Sequence, residues 1–211
     1  MEIRDGKVAF GENEALKALI NGASWNGGSH RWSLPTQAAD GSWTPGEWTP
    51  RHPVSMRPSG HPVGEPITGW YLTRDLVEWW HRGGQHATDA YLAEWRGSAV
   101  QHDSKIGVEE CRLLRPLSDA ELATLGVYRS GRHSEIASGV VWVGGSAVVE
   151  SVCGSGRVWS VCGSGRVEHV SGSGSVGSVY GSGSVHAGGE AVVTVVGGTP
   201  AVTRAGDAVI I

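Results

Sequence analysis

The chain has 211 residues and a formal net charge of −4 with its nine histidines neutral. That balance excludes a globally basic surface of the kind that recruits nucleic acid, and no apolar run approaches the roughly 20 residues a spanning helix needs. Glycine (33) and tryptophan (10) are both abundant, and they divide the chain: eight of the ten Trp lie between Trp25 and Trp95, whereas Val, Gly and Ser dominate after residue 138.

The opening stretch, MEIRDGKVAF, lacks the apolar segment of a signal peptide, so a cytoplasmic protein is expected. Asp5-Gly6 between Ile3 and Val8 predicts a hairpin over 2–10. Leu16, Leu19 and Ile20 fall on one face of a helix over Glu12–Ile20, which Asn21-Gly22 would end. Residues 21–66 hold seven of the nine prolines together with Trp25, Trp32, Trp43 and Trp48. So many indoles do not suit a solvated tail; an ordered loop is expected, laid over a core and filled by rings.

Gly69–Leu72 reads as a short strand. Thr73 then caps a helix carrying Leu76, Trp79 and Trp80 on one side, ended by Gly83-Gly84. Tyr91–Trp95 and Ile106–Leu114 read as strands, with a turn or bulge at Gly97. Ser118-Asp-Ala-Glu121 is a capping box opening a helix to about Leu125. Residues 126–138 read as a transition.

From Val140 to His186 the chain repeats every nine residues in a Val-x-x-Val-x-Gly-Ser-Gly-x pattern. Val149, Val158, Val167, Val176 and Val185 form one series, and Val143, Val152, Val161, Val170 and Val179 another. With Ser155, Ser164, Ser173 and Ser182 between them, every third place is small or apolar. No single unit can bury its own valines, but stacked units can. Interior glycines disfavour a helix, and Val with Gly-Ser-Gly corners favours a β-solenoid with two rungs, about eighteen residues, per coil. At roughly 4.8 Å per coil the clear repeats make about three coils, and the tail to Ile211 adds three short β segments. Calcium is not expected, because the repeats carry no Asp to supply its oxygen ligands. Cys153 and Cys162 share a repeat position, which stacking could bring close, although duplication of a small residue accounts for both.

The expected organisation is therefore a Trp-rich α+β head over 1–130 and an all-β solenoid over 131–211. The head resembles an uncharacterised family of actinobacteria and their phages through LKALINGASWNGGSHRWSLP, GWYLTRDLVEWW, YLAEWRG and HDSKIGVEECRLLRPL. The likeness covers roughly residues 15–117. It implies that the chain is phage-encoded, and so acts in the host cytoplasm; some relatives carry C-terminal Gly/Ser nonapeptides as this chain does. It implies no activity. Where the family pattern has a His after Gly-aromatic, this chain has Tyr71.

Two functions are open at this point. One is a non-enzymatic interaction or assembly protein. Trp25, His30, Arg31, Trp32 and Trp70 would make the specific contact with an unknown protein partner, and Val209, Ile210 and Ile211 would form a homo-oligomer interface at an open solenoid end. The alternative is an ADP-ribosyltransferase-like or other nucleotide-binding enzyme. Arg74 would hold phosphate, Tyr71 would stack a ring and Glu94 would stabilise a developing oxocarbenium. Glu94 is more simply a cross-strand ion pair with Lys105. The histidines lack metal-ligand spacing, and no metal or cofactor is expected. Gly154-x-Gly156 and its copies lack the helix that a phosphate loop requires.

Overall fold

The structure is a computed structural model that describes all residues except 25–29, 56–67, 83–84 and 196–198. Asp5 and Gly6 both take left-handed φ (51° and 70°), the combination a two-residue hairpin turn needs. They join β1 (Glu2–Arg4) to β2 (Lys7–Ala9) in the expected register, Ile3 opposite Val8.

The segment expected to be helical is a strand, β3 (Glu14–Leu19), with Ala15 to Leu19 all buried. Asn21 and Gly22, read as a helix stop, are again left-handed (50° and 76°) and turn the chain so that Ile20 bridges Ala23. A strand covered on both faces loses its alternation, and Leu16, Leu19 and Ile20 then mimic a helical stripe.

After β4 (Thr36–Gln37) and β5 (Trp43–Thr44) form a small hairpin, the Pro/Trp-rich loop runs along the edge of a later strand. That strand is β10 (Lys105–Pro116), and Gly46, Thr49 and His52 donate backbone hydrogen bonds to its Leu113, Cys111 and Glu109 carbonyls. The expectation of an ordered loop over a core holds across these residues.

β6 (Trp70–Thr73) leads to α1 (Leu76–Trp80), where Asp75 rather than Thr73 caps the first turn: its carboxylate accepts from the Glu78 N–H at 3.2 Å. β7 (His81–Arg82) and β8 (Gln85–His86) flank Gly83-Gly84, which lie outside the described residues. Two long strands follow, β9 (Asp89–His102) and β10 (Lys105–Pro116). Gly97 (φ 80°) marks the expected bulge, where β9 runs one residue longer than β10 between the Val108–Ala99 and Glu110–Arg96 pairs.

Strands β10, β6, β3 and β9 close into an antiparallel barrel. Its core holds Ala15, Leu19, Trp32, Leu72, Ala93, Val108 and Leu113. The regular structure of the front unit is thus mostly strand, and among the described residues helix is confined to α1 and to α2 (Asp119–Thr124). The capping box opens α2 as expected: the Ser118 N–H donates to the Glu121 carboxylate at 2.9 Å, and the Glu121 N–H donates back to the Ser118 hydroxyl at 3.3 Å. Arg115 grips the same carboxylate through both terminal guanidinium nitrogens, Nη1 and Nη2, and holds its pKa down at about 2.

The chain divides into two units, Met1–Glu121 and Leu122–Ile211. The division precedes residue 130 because the supposed transition already belongs to the solenoid. β11 (Val127–Tyr128), β13 (Val140–Val143), β15 (Arg157–Val161), β17 (Ser175–Val179), β19 (Val192–Val195) and β21 (Val209–Ile210) form one parallel sheet. β12 (Arg132–Ile136), β14 (Val148–Val152), β16 (Arg166–Val170), β18 (Ser184–Ala187) and β20 (Ala201–Arg204) form the other. Val149 pairs with Val167 and Val158 with Val176, so the coils of the clear repeat take eighteen residues and two rungs; the coils at either end are shorter, with Val127 paired to Trp142 and Val192 to Val209. The solenoid makes about five turns over 127–210, more than the clear repeats predicted.

Both valines of each rung point inward, and Val149, Val152, Val158, Val161, Val170 and Val179 are fully buried. The mid-repeat serines are not part of this column: Ser155, Ser164, Ser173 and Ser182 are exposed at the corners. At each corner the first glycine (Gly154, Gly163, Gly172, Gly181) is left-handed and the serine after it is not, the pattern of a type II′ turn. The Gly156 N–H closes one such turn on the Cys153 carbonyl at 2.8 Å. The second glycine is needed for space: a Cβ on Gly156 would sit 2.0 Å from the Ile136 carbonyl oxygen of the preceding coil.

Residues nine apart lie on different sheets, so Cys153 and Cys162 do not stack, and both are free thiols. Arg157 and Arg166 are separated for the same reason. Arg157 lies over the Trp159 ring, while Arg166 joins an outer ladder in which Arg132 pairs with Glu150 and Glu168.

Gly156→Ala should destabilise the chain by about 1–3 kcal/mol through overpacking against the coil below. Ser155→Ala, one residue away and exposed, should stay within about 0.5 kcal/mol of wild type. Urea denaturation of the two variants tests this, and similar midpoints would contradict the stacked-corner geometry.

Candidate functional site

The barrel is closed unevenly. β3 meets β9 over six residue pairs, but it meets β6 through the single pair Leu16–Thr73. Alternation along β3 sends Ala15, Lys17 and Leu19 to one face, opposite Ala93, Tyr91 and Asp89 of β9. Lys17 is therefore buried where the seam is thinnest. Its ammonium donates to the Tyr71 carbonyl at 3.0 Å, which occupies a β6 acceptor at the thin seam, and it lies 4.9 Å from the centre of the Trp32 ring. Among the described residues no carboxylate pairs with it. Burial holds its pKa down at about 8, only slightly opposed by the Cys111 sulfur.

Beside the seam is a cavity of about 180 Å³ lined by Leu16, Lys17, Ser24, His30, Trp70, Tyr71 and Trp79 among others. The aromatic side chains are tied to one another. His30 packs on Trp70 (4.5 Å between centroids) and edge-on to Trp32 (5.4 Å), and the Trp32 Nε1–H donates to the Ser24 hydroxyl oxygen at 2.7 Å. The Trp70 Nε1–H donates to the Pro50 carbonyl at 2.8 Å. Lys105 stands over Tyr71 (5.3 Å) and Trp79 (4.8 Å). Cys111 is buried, its thiol pushed up to about 12 by desolvation, and it is a structural thiol rather than a nucleophile.

Of the residues expected to form a contact surface, the structure brings His30, Trp32 and Trp70 together, with Trp32 buried. Arg31 is exposed and does not line the cavity, and Trp25 lies outside the described residues. Lys17 and Ser24 carry the polar side of the cavity and were not singled out by the sequence. A lone lysine on an apparent helix reads as a solvated side chain; only the strand register reveals that it points inward.

The nucleotide constellation is not collected in one place. Tyr71 lines the cavity, but Arg74 and Glu94 do not. Arg74 donates to the Gly11, Glu12 and Glu14 carbonyls and lies over Phe10 and Trp95. Glu94 pairs with Arg112 at 2.5 Å and not with Lys105, whose partners in register are His102 and Thr73. Among the described residues no group of three or more His, Cys, Asp or Glu is placed to hold a metal ion, and no helix is long and apolar enough to cross a membrane. Comparison with family models, curated proteins and solved structures returns no match to the chain.

Lys17 sets a pH dependence with a definite sign. Its folded pKa of about 8 lies below the ordinary value of 10.5. Between those values the unfolded chain holds the extra proton, so stability rises with pH; the penalty is complete below pH 8 and gone above 10.5. It amounts to on the order of 3 kcal/mol. Urea midpoints from pH 7.5 to 10.5 should climb in wild type relative to Lys17→Met, and parallel profiles would show that the ammonium is solvated.

Proposed function

We propose that the chain is a phage-encoded, non-enzymatic interaction and assembly protein whose solenoid joins two copies. The observation that carries this reading is the exposed apolar stretch on β21. The inward column Val158–Val176–Val193 continues to Ile210, which is 38% exposed; Val209 beside it and Ile211 after it are exposed as well. Among the described residues β21 pairs with β19 and β20 with β18, and each has one edge without a strand partner. An apolar end with unpaired backbone groups is a template for another strand. A two-fold axis would pair β21 of one copy antiparallel with β21 of the other, completing the backbone bonds and covering Ile210.

The phage assignment is supported by the likeness of residues 15–117 to the actinobacterial and phage family. The contact with a further partner is supported by the aromatic group of His30, Trp32 and Trp70 in the head. The ADP-ribosyltransferase-like alternative lacks a comparable observation, because Arg74 and Glu94 are held by separate partners away from the cavity.

Light scattering on the full chain should give twice the monomer mass. The Val209→Lys/Ile210→Lys double variant should give the monomer mass with an unchanged circular dichroism spectrum. A monomeric wild type, or a variant that still dimerises, would overturn the self-pairing of this end.

A further inference from the structure

The cavity beside the barrel seam plays no part in the proposed self-pairing, and its chemistry is specific. Its walls are flat and apolar: Trp70, Tyr71 and Trp79, with Leu16 and Leu72 behind them. Its polar groups include donors and, among the described residues, no carboxylate. Lys17 presents an ammonium whose neighbours among the described residues are one backbone carbonyl and one indole face, with no carboxylate among those residues to neutralise its charge. Ser24 accepts from Trp32 Nε1, and among the described residues its own hydroxyl proton has no acceptor. Trp32 links these two donors, lying beneath the ammonium and bonded to the hydroxyl oxygen. A buried cation without a counter-charge is costly, and an anion that enters with it removes much of that cost.

The volume sets the size of the anion. A dry cavity of about 150 Å³ accommodates one benzene ring, and this one is about 180 Å³. A single ring with one small acidic group fits, whereas a nucleotide does not.

We propose that the head barrel binds a small single-ring carboxylic acid in this cavity, the carboxylate taken by the Lys17 ammonium and the Ser24 hydroxyl and the ring held against Trp70, Tyr71 and Trp79. The interaction is a charge-assisted hydrogen bond made in a water-poor site. Discrimination comes from the donors, because a neutral ligand of the same shape leaves the ammonium unneutralised. His30 stands at the same wall, and its ring contacts with Trp32 and Trp70 fix the aromatic side of the site.

The test is isothermal titration of the full chain with benzoate, and with benzamide and benzyl alcohol as neutral ligands of matching shape. One benzoate per chain is expected, bound at least tenfold more tightly than either neutral ligand. Lys17→Met and Ser24→Ala should each weaken benzoate by tenfold or more while leaving benzyl alcohol within about threefold, as expected for loss of a charge-assisted bond. Should Lys17→Met fail to fold, wild type alone decides through pH. Benzoate affinity should fall at least tenfold between pH 7.5 and 10.5 as the ammonium loses its proton, and benzyl alcohol affinity should not. The other titratable groups around Lys17 and the cavity include Cys111 of β10, pushed up to about 12, Tyr91 of β9, raised by burial, Tyr71 of β6, Lys105 of β10 over the Tyr71 and Trp79 rings, and His30. No benzoate binding at millimolar concentration, equal affinity for benzamide, or affinity that ignores both pH and Ser24 would overturn the proposal and leave Lys17 as a pin across the barrel seam. None of these results depends on whether the chain dimerises.

Discussion

The solenoid depends on a corner too tight for a side chain. Each rung of the clear repeat from β14 to β17 contributes two inward valines, and these are buried only because the next coil lies directly on the last. Close stacking brings the second corner glycine against a carbonyl of the coil below, to the point where a Cβ on Gly156 or Gly174 would overlap it. The first glycine of the corner meets a different demand, since its φ is left-handed at Gly154, Gly163, Gly172 and Gly181. Two glycines flanking a serine therefore carry two separate constraints, one torsional and one steric. The serine between them is free to face solvent.

This explains which part of the back unit was legible and which was not. Glycines at fixed spacing declare where the chain turns, and pairs of valines declare what lies inside, so coil length and rung number followed from spacing alone. The supposition that every third residue is alike did not hold, because Ser155 and its copies lie on the corner and outside the packed column. The first coil escaped notice because single glycines, Gly131 and Gly139, stand there in place of the Gly-Ser-Gly corner, and its strands pair at fifteen and sixteen residues where the clear repeats pair at eighteen.

The head was harder to read for a related reason. Periodicity signals a strand only when one face is wet, and β3 is buried from Ala15 to Leu19. Its apolar residues then fit a helical stripe as well as they fit a strand. The hairpin at Asp5-Gly6, the bulge at Gly97 and the capping box at Ser118 were legible, because each rests on chemistry within a few residues. The site was not, because it is assembled from β3, β6 and the loop between them, and no local pattern couples Lys17 to Ser24, Trp32 and Tyr71.

The seam also indicates what the barrel gives up to have a cavity. A regular β3–β6 ladder would satisfy the backbone without burying a charge, as β3 does with β9. Here one residue pair joins the strands, and an ammonium serves as donor to the Tyr71 carbonyl. Replacing a buried charge by a well-packed apolar residue is commonly neutral or stabilising, so a lysine is a poor choice for closing a seam on stability grounds alone. Its placement beside an aromatic-walled cavity, together with a serine whose hydroxyl proton has no acceptor among the described residues, suits the proposed anion in a way that seam closure alone does not explain. Stability lost at such a position is characteristic of sites shaped for a ligand more than for the fold.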